Sequence, residues 1–245
     1  MNEAVVIVLG ILILSVVSGM LGLGVAFAAV PFLAFFLDDL VNEVQPLSLL
    51  LNGVTALVAT IGFAVSGFVD WRKALALATV TTVSAPIGAG LAHVVPAQVI
   101  WAVYLVSVVY LAYRLFRPVR ERPGQEDFRA ALLLAAPISI LSGLLGVGPG
   151  FLLMPTLIIV GFPTKVAAGI NAFAVTPPSF SALIPHLSTA VWNPGLTVAL
   201  LVAGAAGSFA GARLTAVVMP SQRVKQMFGV LIVVMTAYKV ATLVV

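Results

Sequence analysis

The chain has 245 residues, of which 62% are hydrophobic and 8% charged, with a net charge of +4. Soluble domains carry about 25% charged residues, so this composition excludes a soluble globular protein and indicates an integral membrane protein. The basic residues cluster in predicted loops, which makes membrane topology, not nucleic acid, their explanation; the lack of cysteine excludes disulfides, thiol chemistry and Cys-ligated metal.

Residues 4–37 carry no charge. As one straight helix they would measure about 51 Å, against a hydrocarbon core of about 30 Å. The run contains Ser18-Gly19-Met20-Leu21-Gly22-Leu23-Gly24 and then Phe27, Pro31 and Leu33. Glycine costs roughly 1 kcal/mol and proline roughly 3 kcal/mol against alanine in a helix interior, so the glycines predict a break. We read a helical hairpin that enters and leaves on one side, with a broken, tilted span as the alternative. The first twenty residues look like the apolar core of a signal peptide. Their start, Met-Asn-Glu, lacks the basic residue such a peptide carries.

Asp38, Asp39 and Glu43 form a short acidic loop, and Pro46 opens a helix predicted to reach about Gly67. That helix carries Asn52 and Thr55. Asp70-Trp71-Arg72-Lys73 is a turn with an interfacial tryptophan. Residues 74–113 hold two helices separated at His93 to Pro96, the first weakened by Pro86, Gly88 and Gly90. Residues 114–129 form the one hydrophilic linker, rich in arginine.

The second half repeats the plan. Ser142-Gly143-Leu144-Leu145-Gly146-Val147-Gly148-Pro149-Gly150-Phe151 is followed by Pro155 and Leu157. Serine, both shared glycine pairs, phenylalanine, proline and leucine recur 124 positions on (142 − 18 = 124). A turn at 161–165 precedes a helix with Asn171, which Pro177-Pro178 is expected to interrupt. Trp192-Asn193-Pro194-Gly195 answers the Trp71 turn, and Ser208 falls near the place of Ser84. A duplicated segment in mid-chain belongs to the mature fold, which also argues against a cleaved leader. No ten-residue polar–apolar alternation of the β-barrel kind appears.

Charge discriminates between topologies. With two hairpins, each half crosses three times, the halves are inverted, and 11 of the 12 basic residues share one side, with only Lys239 opposite. With single crossings the split is 8 to 4. The positive-inside rule favours the hairpins, with the linker cytoplasmic and both termini outside.

No Asp or Glu lies well inside an apolar run, which argues against a buried carboxylate relay and against the paired acid and base of a membrane hydrolase. No catalytic residue and no cofactor are expected. His93 and His186, the two histidines, read as structural or interfacial groups, and without cysteine or a nearby carboxylate they make no zinc site. The glycine breaks offer something else. A helix that starts at membrane depth presents unpaired N–H groups and the positive end of its dipole, which attracts an anion without a buried lysine. Paired broken segments in the two halves of a chain point to a transporter's binding site; small residues at helix contacts are the competing explanation. The candidate site therefore comprises Gly22, Gly24, Gly146, Gly148 and Gly150 at the breaks. Ser18, Ser142, Asn52, Asn171, Thr55 and Thr176 are the neutral hydrogen-bonding groups near them. Ser84 and Ser208 read as packing residues. No Walker motif is present, so ATP is not consumed by the chain.

The phrase Ser-Gly-x-x-Gly-x-Gly with a following Pro-x-Leu, twice in a chain of this length, resembles the sulfite exporter TauE/SafE family of membrane transporters. The resemblance covers both halves and is most specific over residues 142–157; Val25 and Pro149 stand where the family pattern often has glycine. It implies movement of a small sulfur-containing anion, such as sulfite or an organosulfonate, across the bacterial inner membrane. The expectation is an all-α polytopic protein of two inverted repeats, residues 1–116 and 130–245, joined by a basic linker at 117–129. Each repeat would be a broken or re-entrant hairpin followed by three transmembrane helices. The expected partners are that anion and the lipid bilayer, not nucleic acid; a homodimer is compatible with the residues. A passive anion channel, or a carrier for a small carboxylate, remains open as the other reading.

Overall fold

The structure, a computed structural model, describes residues 3–115 and 123–220, with 223, 226 and 230 as isolated positions. Its helices are α1 (Glu3–Leu21), α2 (Ala26–Leu33), α3 (Gln45–Ala64), α4 (Trp71–Ala92), α5 (Ala97–Leu115), α6 (Phe128–Leu145), α7 (Gly150–Ile159), α8 (Thr164–Leu183) and α9 (Pro194–Val217), with no strand among the described residues. Six are long and apolar enough to cross a membrane: α1, α3, α4, α6, α8 and α9. Many of their exposed side chains are large and apolar, including Ile13, Val83, Leu133 and Val202, as a bilayer-facing surface requires. Residues 231–245, which include Lys239, lie outside the described residues.

Both expected breaks are present. α1 gives way at Gly22 and Gly24, with φ of +62° and +70°, and α6 gives way at Gly146 and Gly148, with φ of +67° and +69°. The same two left-handed positions thus recur at matched places, and only glycine reaches that region without a steric penalty. After each break the chain turns back along itself. The ring of Phe32 fills the space beside Gly10, so α2 returns alongside α1. The Asp127 N–H, just before α6, donates to the Val160 carbonyl, just after α7, at 2.9 Å. Each broken segment therefore begins and ends at one end of the molecule, which is the hairpin and not the single crossing.

The positions of the basic side chains agree. Lys73 pairs with Glu126 at 3.8 Å and lies over the Phe162 ring at 4.7 Å. Lys165 donates to the Ala216 carbonyl at 3.3 Å and sits over Phe68; Arg213 donates to Ser66 Oγ at 2.9 Å. The α3–α4 turn, the end of the linker, the start of α8 and the end of α9 thus share one end. At the other, the Val191 N–H donates to the Asn42 carbonyl at 2.8 Å, and the His93 and His186 rings lie 4.7 Å apart. The acidic loop there forms a π-helical turn, Leu40–Val44, capped by Asp39. Hydrogen bonds from the Asn42 side chain and backbone hold the Asp39 carboxyl below its ordinary pKa.

The most extensive packing joins elements from different halves of the chain. α1 lies on α9 and α6 on α4; α3 and α8 pack on each other, and also on α9 and α4 respectively. Exchanging the halves (α1 with α6, α3 with α8, α4 with α9) maps this set of contacts onto itself. Close approach uses glycine where a side chain would meet backbone: Gly88 faces the Ile140 carbonyl and Gly143 the Ala85 carbonyl, while Gly211 faces the Val16 carbonyl and Gly19 the Ser208 backbone.

One expectation fails. α8 runs unbroken through Pro177 and Pro178, and α4 through Pro86. A proline removes the N–H that would bond the carbonyl four residues earlier, and in a membrane that carbonyl needs another donor. Pro178 frees the Ala174 carbonyl, which accepts from Thr81 Oγ1 at 3.0 Å. Pro86 frees the Thr82 carbonyl, which accepts from Ser181 Oγ at 2.8 Å. Pro31 frees the Phe27 carbonyl, which accepts from the Tyr104 hydroxyl at 2.8 Å. At these three prolines a hydroxyl on a neighbouring helix replaces the missing bond.

Candidate functional site at the two helix breaks

The two breaks meet. A side chain on Gly150 would collide with the Leu23 carbonyl, and one on Gly24 or Gly148 would collide with the Asn52 amide; Gly22 faces the backbone of Ala168. Phe27 and Phe151, 124 positions apart, stack with ring centroids at 5.0 Å and planes within 15°. Here α2 and α7 both begin, and they leave toward opposite ends of the molecule. Their positive ends converge without any acidic or basic side chain on either helix.

The two helix starts differ in how their N–H groups are satisfied. At α2, Asn52 Oδ1 accepts from the Ala26 N–H at 2.9 Å, and Thr55 Oγ1 accepts from the Val25 N–H at 3.1 Å. Asn52 is held by donating from Nδ2 to Ser179 Oγ at 2.8 Å. Thr55 is held by donating to the Leu51 carbonyl at 2.7 Å. At α7 the corresponding amide points the other way. Asn171 Nδ2 donates to the Gly22 carbonyl at 2.7 Å and to the Gly150 carbonyl at 3.3 Å, so its nitrogen end is fixed by two acceptors. Asn171 Oδ1 is fully buried and has no partner among the described residues. Three residues beyond Asn171, where α3 has Thr55, α8 has Ala174. Pro149 supplies no side-chain cap, and among the described residues no side chain accepts from the Gly150 N–H as Asn52 does from that of Ala26; the N–H groups of Phe27 and Phe151 are alike in having no such acceptor.

The structure therefore brings Gly22, Gly24, Gly146, Gly148, Gly150, Asn52, Thr55 and Asn171 together. Ser18 and Ser142 lie one turn before their breaks, buried, with hydroxyls that lack a partner among the described residues. Thr176 makes no hydrogen bond to the break residues among the described residues; its hydroxyl donates to the Ala172 carbonyl of its own helix, at 2.9 Å. Ser208 donates to the Thr55 carbonyl at 2.7 Å, across the halves. Sequence reasoning missed Ser179, which steadies Asn52, and Gln45, whose Nε2 donates to the Leu144 carbonyl at 3.2 Å beside the second break. The signal for Gln45 was a lone polar residue at the edge of an apolar run, on the same α3 face as Asn52; Ser179 had none beyond its polarity. All the side chains at the breaks are buried, so the site is closed to both ends. His93 and His186 lie apart from it. No group of three or more His, Cys, Asp or Glu that could hold a metal occurs among the described residues.

Six helices long and apolar enough to cross a membrane, around two touching helix breaks that are polar but uncharged, define a polytopic membrane protein. The family model for the sulfite exporter TauE/SafE matches residues 6–239, and the chain belongs to that family. It is 24% identical over 234 residues to a probable membrane transporter protein of Xylella fastidiosa, covering 90% of this chain and 88% of that one. It is also 24% identical over 264 residues to the probable membrane transporter protein YunE of Bacillus subtilis, covering 96% and 95%. No solved structure matches the chain. A multi-pass place in a bacterial cell membrane agrees with the spans and with both relatives.

Proposed function

We propose that the protein is a secondary carrier that moves a small sulfur-containing anion, such as sulfite or an organosulfonate, across the bacterial inner membrane. The observation that carries this reading is the start of α7. Two free N–H groups, of Gly150 and Phe151, sit at a positive helix end inside a sealed polar core. Buried N–H groups are nearly always paired, and a helix start of this kind takes an anion. The Ser18 and Ser142 hydroxyls and the Asn52 amide complete the surroundings; Gly22, Gly24, Gly146, Gly148 and Gly150 let the backbone approach. The direction of α1, toward the basic end alongside α9, and of α6, away from it, supports inverted repeats at residues 1–116 and 130–245. With the cargo between the repeats, rocking one against the other opens the site to one side at a time.

A helix end contributes about 0.3–1 kcal/mol toward an exposed anion and up to about 2 kcal/mol when partly buried, which suits a carrier that must release what it binds. The test is counterflow in liposomes. Labelled sulfite should enter saturably, and faster when unlabelled sulfite is inside. Flux that neither saturates nor responds to internal sulfite would make the protein a channel. An absence of sulfite and sulfonate flux would leave the breaks as packing devices.

A further inference from the structure

Which anions the breaks accept follows from charge and from one buried acceptor. A helix start carries roughly half an elementary positive charge, and two converge here, so together they balance about one negative charge. The elements around the breaks add little to this. α2, α3 and α7 hold no charged side chain; α1 has Glu3 at its start, and α4, α6, α8 and α9 have Arg72, Lys73, Arg129, Lys165 and Arg213 at the basic end. Asp38, Asp39, Glu43, His93 and His186 lie at the opposite end, and the Tyr104 hydroxyl is spent on Phe27. A second negative charge would enter a closed core with nothing to offset it, and uncompensated buried charge is strongly disfavoured.

The acceptor is Asn171 Oδ1. Its amide nitrogen donates to the carbonyls of Gly22 and Gly150, one from each break, which holds the side chain at their junction, with Oδ1 buried and without a partner among the described residues. An acceptor repels a bare oxyanion oxygen and welcomes a donor. The Gly150 and Phe151 N–H groups, at the start of α7, do the opposite. Free donors and an orphan acceptor together match an oxyanion that still carries one acidic hydrogen.

We propose that the site selects singly charged, protonated oxyanions, of which hydrogensulfite is the type, over dianions such as sulfite itself and sulfate. The oxyanion oxygens accept from the Gly150 and Phe151 N–H groups, and the acidic hydrogen is donated to Asn171 Oδ1. This rests on the reading of the breaks as an anion site and adds the charge state to it.

The experiment is ligand binding to the purified full chain in detergent between about pH 6 and pH 9, with sulfite, methanesulfonate and sulfate as probes. Methanesulfonate is a monoanion throughout and reports any titration of the protein itself. Above the pH at which hydrogensulfite loses its proton, sulfite affinity should fall about tenfold per pH unit, as the competent fraction falls. Methanesulfonate should bind more weakly than hydrogensulfite, since it offers Asn171 no donor, and its affinity should be flat with pH. Sulfate should not compete. Sulfite affinity that holds or rises with pH, or sulfate competing as well as sulfite, would overturn the charge-state inference and leave the anion site standing. Binding of none of the three would overturn both.

Discussion

Replacing Tyr104 by phenylalanine isolates one hydrogen bond at the heart of the fold. Pro31 leaves the Phe27 carbonyl without its helical N–H, and the Tyr104 hydroxyl supplies the substitute at 2.8 Å. Tyr104 is 1% exposed and its ring packs on Phe27 and Trp101, so phenylalanine keeps the packing and removes only the hydroxyl. A buried carbonyl left unpaired costs about 1–3 kcal/mol in soluble proteins, while interhelical bonds in a membrane protein average about 0.6 and reach about 1.7 kcal/mol. We expect Tyr104→Phe to cost about 1–2 kcal/mol, by the overlap of those ranges. At about 2–4 °C per kcal/mol for a chain of this size, thermal unfolding in detergent resolves it. The control is Pro31→Ala, which returns an N–H to the Phe27 carbonyl. In that background Tyr104→Phe should cost under about 0.5 kcal/mol, because the carbonyl is no longer orphaned. An equal loss in both backgrounds would refute the reasoning that the hydroxyl compensates for the proline.

Three further expectations follow from named contacts. The chain has no native cysteine, so single cysteines can be placed without a background: Gln125→Cys should label only from the cytoplasm and Thr189→Cys only from outside, and the reverse would invert the topology. Gly22→Ala should abolish recovery of folded protein, since its φ is +62° and its side chain would strike the Ala168 carbonyl. Gly67→Ala, at φ +75° with open space around it, should cost only about 1–2 kcal/mol, the left-handed penalty alone; thermal stability in detergent separates the two. Asn171→Ala should weaken anion binding at least tenfold, while Thr176→Ala, whose hydroxyl bonds its own helix, should leave it within twofold, both read by titration of the purified proteins.

The backbone breaks were legible in the sequence because glycine at φ above +60° is a local requirement, and two copies 124 residues apart record it twice. The hairpins were legible through charge, since a hairpin moves every later basic residue to the other side. The continuity of α8 was not legible. Pro177-Pro178 looks like a break until Thr81, almost a hundred residues earlier, is found donating to the Ala174 carbonyl. Propensity is local, whereas the group that overrides it comes from another helix. The same reason hid Ser179, whose part depends on Asn52 facing it. Thr176 stands out in the sequence as a neutral hydrogen-bonding group in an apolar run, but it lies five residues beyond Asn171 where Thr55 lies three beyond Asn52, and on a helix that difference turns the side chain to another face. The asymmetry of the two helix starts, one capped by Asn52 and Thr55 and one open, also required the structure, because the two asparagines are alike in sequence and oppositely turned in space.

The most direct measurement of the central claim is to locate a heavy anion. Selenite is a close chemical analogue of sulfite, and selenium gives an anomalous signal in diffraction from crystals grown with it. One selenium peak is expected between the two breaks, with its oxygens about 2.7–3.2 Å from the Gly150 and Phe151 nitrogens. A peak beside the His93–His186 pair or at the basic end, with nothing between the breaks, would contradict it.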